Sequence, residues 1–347
     1  MAAGQIARST GSRIAGLVSC IPSRRIDNDY FLGRFGEKAA EVTKMTGVQT
    51  RYWVADGETT SDLCEKAAVR LLEGLGWQPG SVDGIVFISQ TPDYRLPATA
   101  CSLQARLGLR PGVLAFDVNL GCSGYPYGLW MAMNAISSGA ARRILLAVGD
   151  ISSVLVDPGD RATALLFGDA GTVTAIEASE EGGEPAIFIL GSDGRGACNL
   201  IVPEGAFRSA VAEGKLEGRS LDRLYMDGGE IFNFTLKAVP ALIAQTAEAG
   251  GRSIDEFDSF LLHQANAFMI RHLAKKAKLP PEKVPINIDR YGNTSSATIP
   301  LLMTTDLADP LKTSPRRLGM FGFGVGYSWA SAAIEVGPLD CCETVTL

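Results

Sequence analysis

FDVNLGCSGYPYGLWM, residues 116–131, is the stretch that decides the fold of this chain. An apolar run ends near Val118, and a helical pattern follows whose first turn can hold Pro126, since proline is tolerated there. Cys122 lies between the two. A strand that passes directly into a helix is a building unit of α/β proteins, so the stretch predicts a strand-to-helix turn with a cysteine at the helix start.

Apolar strand-like runs alternate with longer helical patterns on both sides of this stretch, which is typical of an α/β protein with buried strands. A helix is predicted over 62–75, and strands are predicted over 84–89, 113–118, 144–148, 257–262 and 284–288. A chain of 347 residues with 46% hydrophobic content can bury a large core, so we expect two domains or one duplicated unit.

The two halves of the chain echo each other, which predicts a duplicated α/β unit. VDGIVFIS (82–89), the stretch quoted above and FGDAGTVTAIEA (167–178) are matched by FDSFLLHQ (257–264), INIDRYGNTSSATIPLLM (286–303) and FGVGYSWASAAIEV (323–336). We assign an N-terminal half to 1–180 and a C-terminal half to 181–347, joined by the acidic, glycine-rich segment 177–185. Pseudo-twofold packing would then bring Cys122, His263 and Asn293 together at strand ends, where open α/β sheets usually bind ligands.

The charge balance and the cysteines exclude several classes of protein. Lys and Arg number 32 against 38 Asp and Glu, and the net charge of −6 argues against a nucleic-acid binder. Seven cysteines, an odd number without metal-type spacing, predict free thiols in a reducing compartment, and we expect a cytoplasmic protein. Neither a signal-peptide pattern nor an apolar run of about 18 residues is found, so no membrane association is expected.

The position of Cys122 predicts a nucleophile. The positive end of the helix macrodipole favours a thiolate, so we expect a lowered pKa and a reactive thiol at neutral pH. A cysteine taken alone is more often buried and inert. That interpretation applies to the other cysteines, which are Cys20, Cys64, Cys101, Cys198, Cys341 and Cys342. The vicinal pair lacks further ligands, so no metal site is predicted.

Two further residues become candidate catalytic residues because they could act together with this cysteine. The chain has two histidines, of which His272 lies in a lysine-rich, solvent-facing helix and His263 ends an apolar strand. A histidine at a strand end is more often structural, and Asn293 in Gly-Asn-Thr-Ser is ordinary turn chemistry. The combination of a helix-start cysteine, His263 and Asn293 favours a catalytic set.

The segment Gly322–Gly326 is a glycine-rich turn without the Lys-Ser/Thr of a P-loop, and Tyr327 stands where a dinucleotide fingerprint has its last glycine. Nucleotide binding is therefore not predicted. Glycines at this point would let the backbone approach a reacting carbonyl and aim an N–H at the developing oxyanion, although a tight turn also explains the pattern.

Four motifs together resemble β-ketoacyl-ACP synthase III of the thiolase superfamily, over about residues 14–336. They are GCSG around Cys122, HQAN at 263–266, YGNTSSA at 291–297 and GFGVGYSWAS at 322–331, accompanied by DPGDR at 157–161, FGDAG at 167–171 and GSDG at 191–194. The resemblance implies a thiolase-like duplicated αβαβα layered fold with two pseudo-symmetric halves.

The reaction that the resemblance implies is a decarboxylative Claisen condensation without metal or organic cofactor. An acyl thioester, either acyl-CoA or acyl-ACP, would acylate Cys122 while the backbone N–H groups of Cys122 and Val325 hold the oxyanion. Malonyl-ACP would then lose carbon dioxide, with His263 and Asn293 donating hydrogen bonds to the enolate. The product would be a 3-oxoacyl-ACP.

The chain departs from the family pattern in places that leave the acyl donor open. Glu41 and Met45 stand where a tryptophan and an arginine usually clamp the adenine end of coenzyme A. Phe268 replaces an arginine, and Gly229 replaces an asparagine that contacts pantetheine. Val325 replaces the middle glycine of the triplet, and it would be strained if that position needs a positive φ.

The resemblance also implies partners. Arg271, Lys275 and Lys276 are expected to dock the acidic acyl carrier protein, although a solvated helix face explains their spacing equally well. A homodimer is expected to form around segment 91–99. The substrate pocket is predicted to include Thr91, Leu96 and Phe323.

Other activities remain open at this stage. A thiolase-fold acyltransferase could pass the acyl group to an alcohol or amine without forming a carbon–carbon bond. A papain-like peptidase also uses Cys, His and Asn in this order and at a similar spacing, but it carries its cysteine in a different motif. A non-catalytic carrier-binding subunit would be expected to have lost Cys122 or His263.

Overall fold

Two β-sheets organise the chain, for which the computed structural model describes residues 4–36, 38–179, 184–208 and 214–347. The strands are β1 (Gln5–Ser9), β2 (Ser12–Ile21), β3 (Arg24–Asp27), β4 (Thr50–Trp53), β5 (Gly84–Ile88), β6 (Leu114–Val118), β7 (Arg143–Asp150), β8 (Ala170–Ala178), β9 (Ala186–Ser192), β10 (Leu200–Ile201), β11 (Tyr225–Met226), β12 (Ser259–Leu262), β13 (Arg316–Gly324), β14 (Ser328–Val336) and β15 (Cys341–Thr346).

The helices of the described residues are α1 (Leu32–Phe35), α2 (Lys38–Thr46), α3 (Thr60–Leu75), α4 (Thr99–Arg106), α5 (Gly124–Ser137), α6 (Arg161–Ala164), α7 (Gly228–Ala249), α8 (Ala267–Lys276), α9 (Ile288–Tyr291), α10 (Thr298–Thr305) and α11 (Ala308–Thr313). Within the described ranges, none of these helices is both long and apolar enough to cross a membrane.

The two large sheets repeat one strand pattern. The first has the order β15-β2-β8-β7-β5-β6, and the second has the order β1-β9-β14-β13-β12. The four neighbours β2-β8-β7-β5 pair antiparallel, antiparallel and parallel. The four neighbours β9-β14-β13-β12 pair in the same sequence of directions. The echo between the two halves of the sequence therefore corresponds to a repeated strand arrangement.

Each sheet also takes its outer strand from the other half of the chain. Strand β1 pairs with β9, and β15 pairs with β2. Both strands thus pair with strands on the other side of the predicted boundary between 1–180 and 181–347. The division itself stays a prediction. Residues 180–183 of the predicted joint lie outside the described residues.

Helices α5 and α10 lie between the sheets, and their sequences explain this position. Neither GYPYGLWMAMNAIS nor TIPLLMTT contains a charged side chain, and a helix that is apolar on all sides is normally buried. Leu129 of α5 and Leu302 of α10 belong to one buried cluster with residues from both sheets. This central layer carries the turns that hold the candidate site.

Helices α3 and α4 cover the outer face of the six-stranded sheet, and α7 and α8 cover the five-stranded one. Helix α3 begins with a capping box between Thr59 and Asp62 and ends at Gly76, whose φ of 63° suits the left-handed cap. Its apolar stripe packs on the sheet. The predicted αβαβα layering is confirmed.

Most of the predicted elements are confirmed within a few residues, namely helix α3 and strands β5, β6, β7 and β12. The strand predicted over 284–288 is wrong. A 3₁₀ turn occupies Pro281–Lys283 and α9 begins at Ile288. Pro285 has no N–H to donate to a sheet ladder, so the apolar residues around it are buried without pairing.

Candidate active site

Cys122 lies in the tight turn between β6 and α5, with 9% of its surface exposed. Two glycines of β13 permit this position. A Cβ on Gly322 would come within 2.7 Å of the Cys122 carbonyl oxygen, and one on Gly324 within 2.8 Å of the Cys122 Sγ. The glycine-rich motif therefore lets a strand of the second sheet pass directly behind the cysteine.

Burial controls the protonation of the Cys122 thiol. Desolvation, followed by the negative charge of Asp150, raises the pKa of Cys122 to about 11. The N–H groups of Val325 and Cys122 and the Ser295 hydroxyl act in the opposite direction. The expectation that the helix start would lower this pKa is therefore wrong, because desolvation outweighs the favourable dipoles. The thiol is protonated at neutral pH.

His263 directly follows β12, and its backbone N–H continues the sheet pairing by donating to the Phe321 carbonyl at 2.8 Å. Its side chain is buried, and burial lowers the pKa of His263 to about 3. The imidazole is therefore neutral at physiological pH. The Phe323 ring packs against the imidazole in an edge-to-face arrangement, with ring centroids 5.6 Å apart.

Thr298 determines which ring nitrogen of His263 carries the proton. His263 Nδ1 lies 2.7 Å from Thr298 Oγ1, which also lies 3.0 Å from the Ser295 carbonyl oxygen. The hydroxyl has one proton to give. If it donates to Nδ1, the imidazole keeps its own proton on Nε2. If it donates to the Ser295 carbonyl, Nδ1 holds the proton instead.

Asn293 is held by its backbone and by its carbonyl oxygen. Its N–H donates to the Leu166 carbonyl at 2.9 Å, and its own carbonyl accepts from the Gly168 N–H at 3.1 Å. Its side-chain Oδ1 accepts the Ser295 N–H at 2.9 Å. Because a donor occupies the oxygen side of the carboxamide, the NH₂ group is the side left to donate to a substrate.

Ser295 supports two of the three predicted residues and lies near the third. Its N–H donates to Asn293 Oδ1, its carbonyl accepts the Thr298 hydroxyl beside His263, and it lines the same cavity as Cys122. Its φ of 51° is in the left-handed region, which is unusual for a residue with a side chain. Thus one strained, buried serine holds the turn that supports Asn293 and His263.

Val325 is not strained in the way the sequence suggested. Among the described residues, only Lys278 and Ser295 combine a positive φ with a side chain, whereas the following Gly326 has a φ of 133°. The Val325 N–H lowers the pKa of Cys122, so it acts next to the reacting sulfur.

A cavity of about 610 Å³ opens beside Cys122. Gln90, Asp150 and Ser295 line it, but Thr91 and Leu96 do not. The Thr91 hydroxyl points into the protein, 2.7 Å from the Thr60 hydroxyl, and accepts the Ile151 N–H. Leu96 is 79% exposed. The predicted pocket residues Thr91, Leu96 and Phe323 are thus not among the residues that line this cavity, and their role in binding the substrate stays a prediction.

The predicted docking residues lie on α8. Arg271 and Lys275, together with Lys278, surround a second cavity of about 650 Å³ with an apolar floor. The Lys276 ammonium points away from it and donates to the Leu236 carbonyl of α7 at 2.7 Å. His272 is exposed and lies against Phe232 and Phe268, with centroids 5.9 Å and 6.0 Å away.

Sequence reasoning missed Ser295, Thr298 and Asp150. The first two lie inside the YGNTSSAT stretch, where their spacing resembles ordinary turn chemistry. Asp150 had a usable signal, since it follows the apolar run 144–149 as His263 follows the apolar end of β12. Within the described ranges, no group of His, Cys, Asp and Glu is arranged to hold a metal ion.

Two family models match the chain. The description "3-Oxoacyl-[acyl-carrier-protein (ACP)] synthase III" covers residues 116–194, and its C-terminal counterpart covers 247–336. The first region contains Cys122, and the second contains His263, Asn293 and Val325.

Known proteins are similar over most of the chain. A β-ketoacyl-ACP synthase III of Xanthomonas campestris is 36% identical over 93% of this chain and 98% of its own length. The crystal structure of 3-oxoacyl-(acyl-carrier protein) synthase from Burkholderia xenovorans LB400 is 57% identical, covers both chains fully and has a TM-score of 0.98. The priming β-ketosynthase of the R1128 polyketide pathway is 25% identical, covers 96% and 98%, and has a TM-score of 0.82.

The raised thiol pKa predicts how Cys122 responds to alkylation. Because the thiolate is the reactive form, its alkylation rate by iodoacetamide should rise about tenfold per pH unit between pH 7 and pH 9. Peptide mass spectrometry measures the rate, and the exposed Cys198 in the same digest reports that the reagent is active. A rate that levels off below pH 8 would contradict the protonated resting thiol.

Proposed function

This chain belongs to the 3-oxoacyl-[acyl-carrier-protein] synthase III family, and we propose that Cys122, His263 and Asn293 carry out its condensation. The reaction joins an acyl thioester to malonyl-ACP with loss of carbon dioxide and gives a 3-oxoacyl-ACP. The comparisons favour it over the transfer to an alcohol or amine and over the peptidase. The observation that carries the residue assignment is the position of Ser295, which donates to Asn293 Oδ1, accepts the Thr298 hydroxyl beside His263, and lines the same cavity as Cys122.

Acylation comes first. The Cys122 sulfur attacks the acyl thioester, and negative charge develops on the carbonyl oxygen. The N–H groups of Cys122 and Val325 support this step, because both favour negative charge at the reacting sulfur. Collapse of the intermediate expels the donor thiol and leaves an acyl-Cys122 ester.

Decarboxylation follows when malonyl-ACP enters. Loss of carbon dioxide leaves an enolate whose oxygen accepts hydrogen bonds from His263 Nε2 and the Asn293 NH₂ group. A neutral imidazole with its proton on Nε2 serves this role. Burial supports the neutral form, and the Thr298 hydroxyl lies 2.7 Å from Nδ1, where its donation would leave the ring proton on Nε2. The carbanion then attacks the acyl carbonyl, the bond to the Cys122 sulfur breaks, and the free cysteine is restored.

We further propose that the reaction needs no metal or organic cofactor besides its substrates, and that the protein works in the cytoplasm. All seven cysteines are free thiols, which suits a reducing compartment. For the acyl donor, Glu41 lies 3.9 Å from Arg161 and Met45 is 59% exposed. An acidic side chain beside that arginine disfavours a nucleotide phosphate, which supports an acyl-ACP donor over acyl-CoA.

Helix α8 is the proposed docking site for acyl carrier protein. Its exposed cations Arg271, Lys275 and Lys276 offer positive charge on an otherwise acidic protein, and an acidic partner would be steered toward them. Lys276 is tethered to α7, so Arg271 and Lys275 are the freer contacts.

A second copy of this chain is the proposed partner at strand β6. This strand is the edge of the six-stranded sheet, so its outer backbone groups have no partner strand in the described chain. Leu114 is 37% exposed and Phe116 is 40% exposed on it, and an exposed apolar edge strand normally pairs or is covered. Gln90 and Asn119, which line the cavity, are also exposed.

Separating the two half-reactions tests the residue roles. Asn293→Ala and Thr298→Val should leave acyl-Cys122 formation within about threefold but slow malonyl-ACP decarboxylation by about 100-fold, because each removes support for the enolate. Thr298→Ser keeps the hydroxyl and serves as the control. Intact mass and release of labelled carbon dioxide measure the two steps. Loss of acylation with decarboxylation intact would overturn the assignment.

Charge reversal tests the docking site. The double change Lys275→Glu and Lys276→Glu should raise KM for malonyl-ACP about tenfold without changing Cys122 alkylation, because it repels the partner but leaves the site intact. Lys312→Glu makes the same kind of charge change on α11, away from α8. An unchanged KM in the double variant would remove the docking role.

A charged substitution on the edge strand β6 tests the proposed dimer. The wild-type chain should elute at twice its 36.7 kDa mass in size-exclusion chromatography with light scattering. Phe116→Glu should shift it to the monomer, because a charge would then lie in the interface. Leu32→Glu, a substitution at a 51% exposed leucine of α1, is the matched control. A monomeric wild-type chain would contradict the proposal.

A further inference from the structure

The buried carboxylate of Asp150 links the end of β7 to two other segments at the candidate site. Asp150 has 2% of its surface exposed. Its Oδ1 accepts the Gln90 N–H at 2.7 Å, and its Oδ2 accepts the Ser296 hydroxyl at 2.7 Å. Weaker contacts at 3.3 Å come from the Ser89 hydroxyl and the Ser296 N–H. The carboxylate therefore connects β7 to the segment after β5 and to the turn before α10.

Ser296 directly follows the strained residue of this turn. The Ser295 N–H donates to Asn293 Oδ1 at 2.9 Å, and the next N–H along the chain, that of Ser296, donates to Asp150 Oδ2. These two N–H groups belong to the rigid peptide planes on either side of the Ser295 Cα, so the φ and ψ of Ser295 set their relative direction. Because φ is 51°, in the left-handed region, this arrangement persists only while the surroundings hold it.

The turn is held at both ends. At its start, the Asn293 N–H donates to the Leu166 carbonyl at 2.9 Å, and the Asn293 carbonyl accepts the Gly168 N–H at 3.1 Å. At its end, Asp150 binds both the hydroxyl and the N–H of Ser296. With both ends fixed, Ser295 keeps its conformation and its N–H stays on Asn293 Oδ1.

The four hydrogen bonds explain why a carboxylate suits this place. All four neighbours are donors, namely two backbone N–H groups and two hydroxyls, and an ionised carboxylate offers only acceptors. Acylation gives no such reason, because the negative charge of Asp150 raises the pKa of Cys122 and so disfavours the thiolate.

We propose that Asp150 is a positioning residue for decarboxylation: by holding Ser296, it keeps Ser295 in the conformation that turns the NH₂ group of Asn293 toward malonyl-ACP. This role rests on the proposed function of Asn293. Asp150 touches none of the reacting atoms and exchanges no proton in it. Without the hold on Ser296, Ser295 leaves the left-handed region, and the freed carboxamide can present its oxygen instead of its NH₂ group to the enolate, which accepts hydrogen bonds only.

The change Asp150→Asn tests this role in the full chain. Release of labelled carbon dioxide from malonyl-ACP should slow by about 30-fold in kcat, because the new NH₂ group opposes an N–H donor, while acylation of Cys122 by butyryl-ACP or butyryl-CoA stays within about threefold. Ser296→Ala should slow decarboxylation about tenfold, since it removes the 2.7 Å bond. Ser89→Ala removes only a 3.3 Å contact on the Gln90 side and should stay within about twofold.

A double variant separates the positioning of Asn293 from a general loosening of the site. Once Asn293→Ala has removed the carboxamide, adding Asp150→Asn should slow decarboxylation by less than about threefold, because no carboxamide remains to be oriented. A further loss of about 30-fold in that background would mean that the two residues act independently, and it would overturn the positioning role.

Alkylation of Cys122 and thermal unfolding report whether the site is intact. Removing the charge of Asp150 favours the thiolate, so iodoacetamide should react with Asp150→Asn at pH 7 at least as fast as with the wild type. If Asp150→Asn does not fold, Ser296→Ala carries the test.

Two results would overturn the positioning role alone. One is decarboxylation at the wild-type rate in folded Asp150→Asn or in Ser296→Ala, and the other is a parallel loss of alkylation and decarboxylation in a folded variant. A wild-type chain that releases no carbon dioxide from malonyl-ACP would instead overturn the proposed function, and the positioning role with it.

Discussion

The hydrogen bonds around Ser295 are the interactions on which the candidate site depends. One residue orients the Asn293 carboxamide with its N–H, anchors Thr298 beside His263 with its carbonyl, and lines the same cavity as Cys122. Its left-handed φ is a strained conformation that persists only where the surroundings over-determine it. The uncharged helices α5 and α10 provide those surroundings, because they fix the turns between two sheets.

Burial favours the neutral form of both titratable groups, His263 and Cys122, which helps the first and hinders the second. It keeps the His263 imidazole neutral, which is the form proposed to donate a hydrogen bond to the enolate. It also keeps the Cys122 thiol protonated, although the thiolate is the nucleophile. The backbone N–H groups of Val325 and Cys122 partly offset the second effect without bringing in a cation. The glycines of β13 complete the arrangement, because only their missing side chains let the strand pass behind the cysteine.

Much of the fold and the catalytic set could be predicted from the sequence, for identifiable reasons. Helix α3 has apolar residues at helical spacing, and β5 is a short apolar run. Cys122, His263 and Asn293 lie in motifs that are specific in combination. Thr91 does not line the cavity beside Cys122, although the neighbouring Gln90 does, because the Thr91 hydroxyl is bonded to Thr60 and Ile151 inside the protein. The upward shift of the Cys122 pKa and the hydrogen bonds of Ser295 and Asp150 depend on burial and on contacts between distant segments. No local sequence pattern records these.

The most direct measurement is a crystal structure of the enzyme with an acyl group on Cys122. We expect the acyl oxygen to accept hydrogen bonds from the N–H groups of Cys122 and Val325. We also expect His263 Nε2 and Asn293 Nδ2 to lie within about 3 Å of one common point beside the ester, where an enolate oxygen can sit. An imidazole and a carboxamide that face different cavities, with no shared point near the ester, would contradict the account.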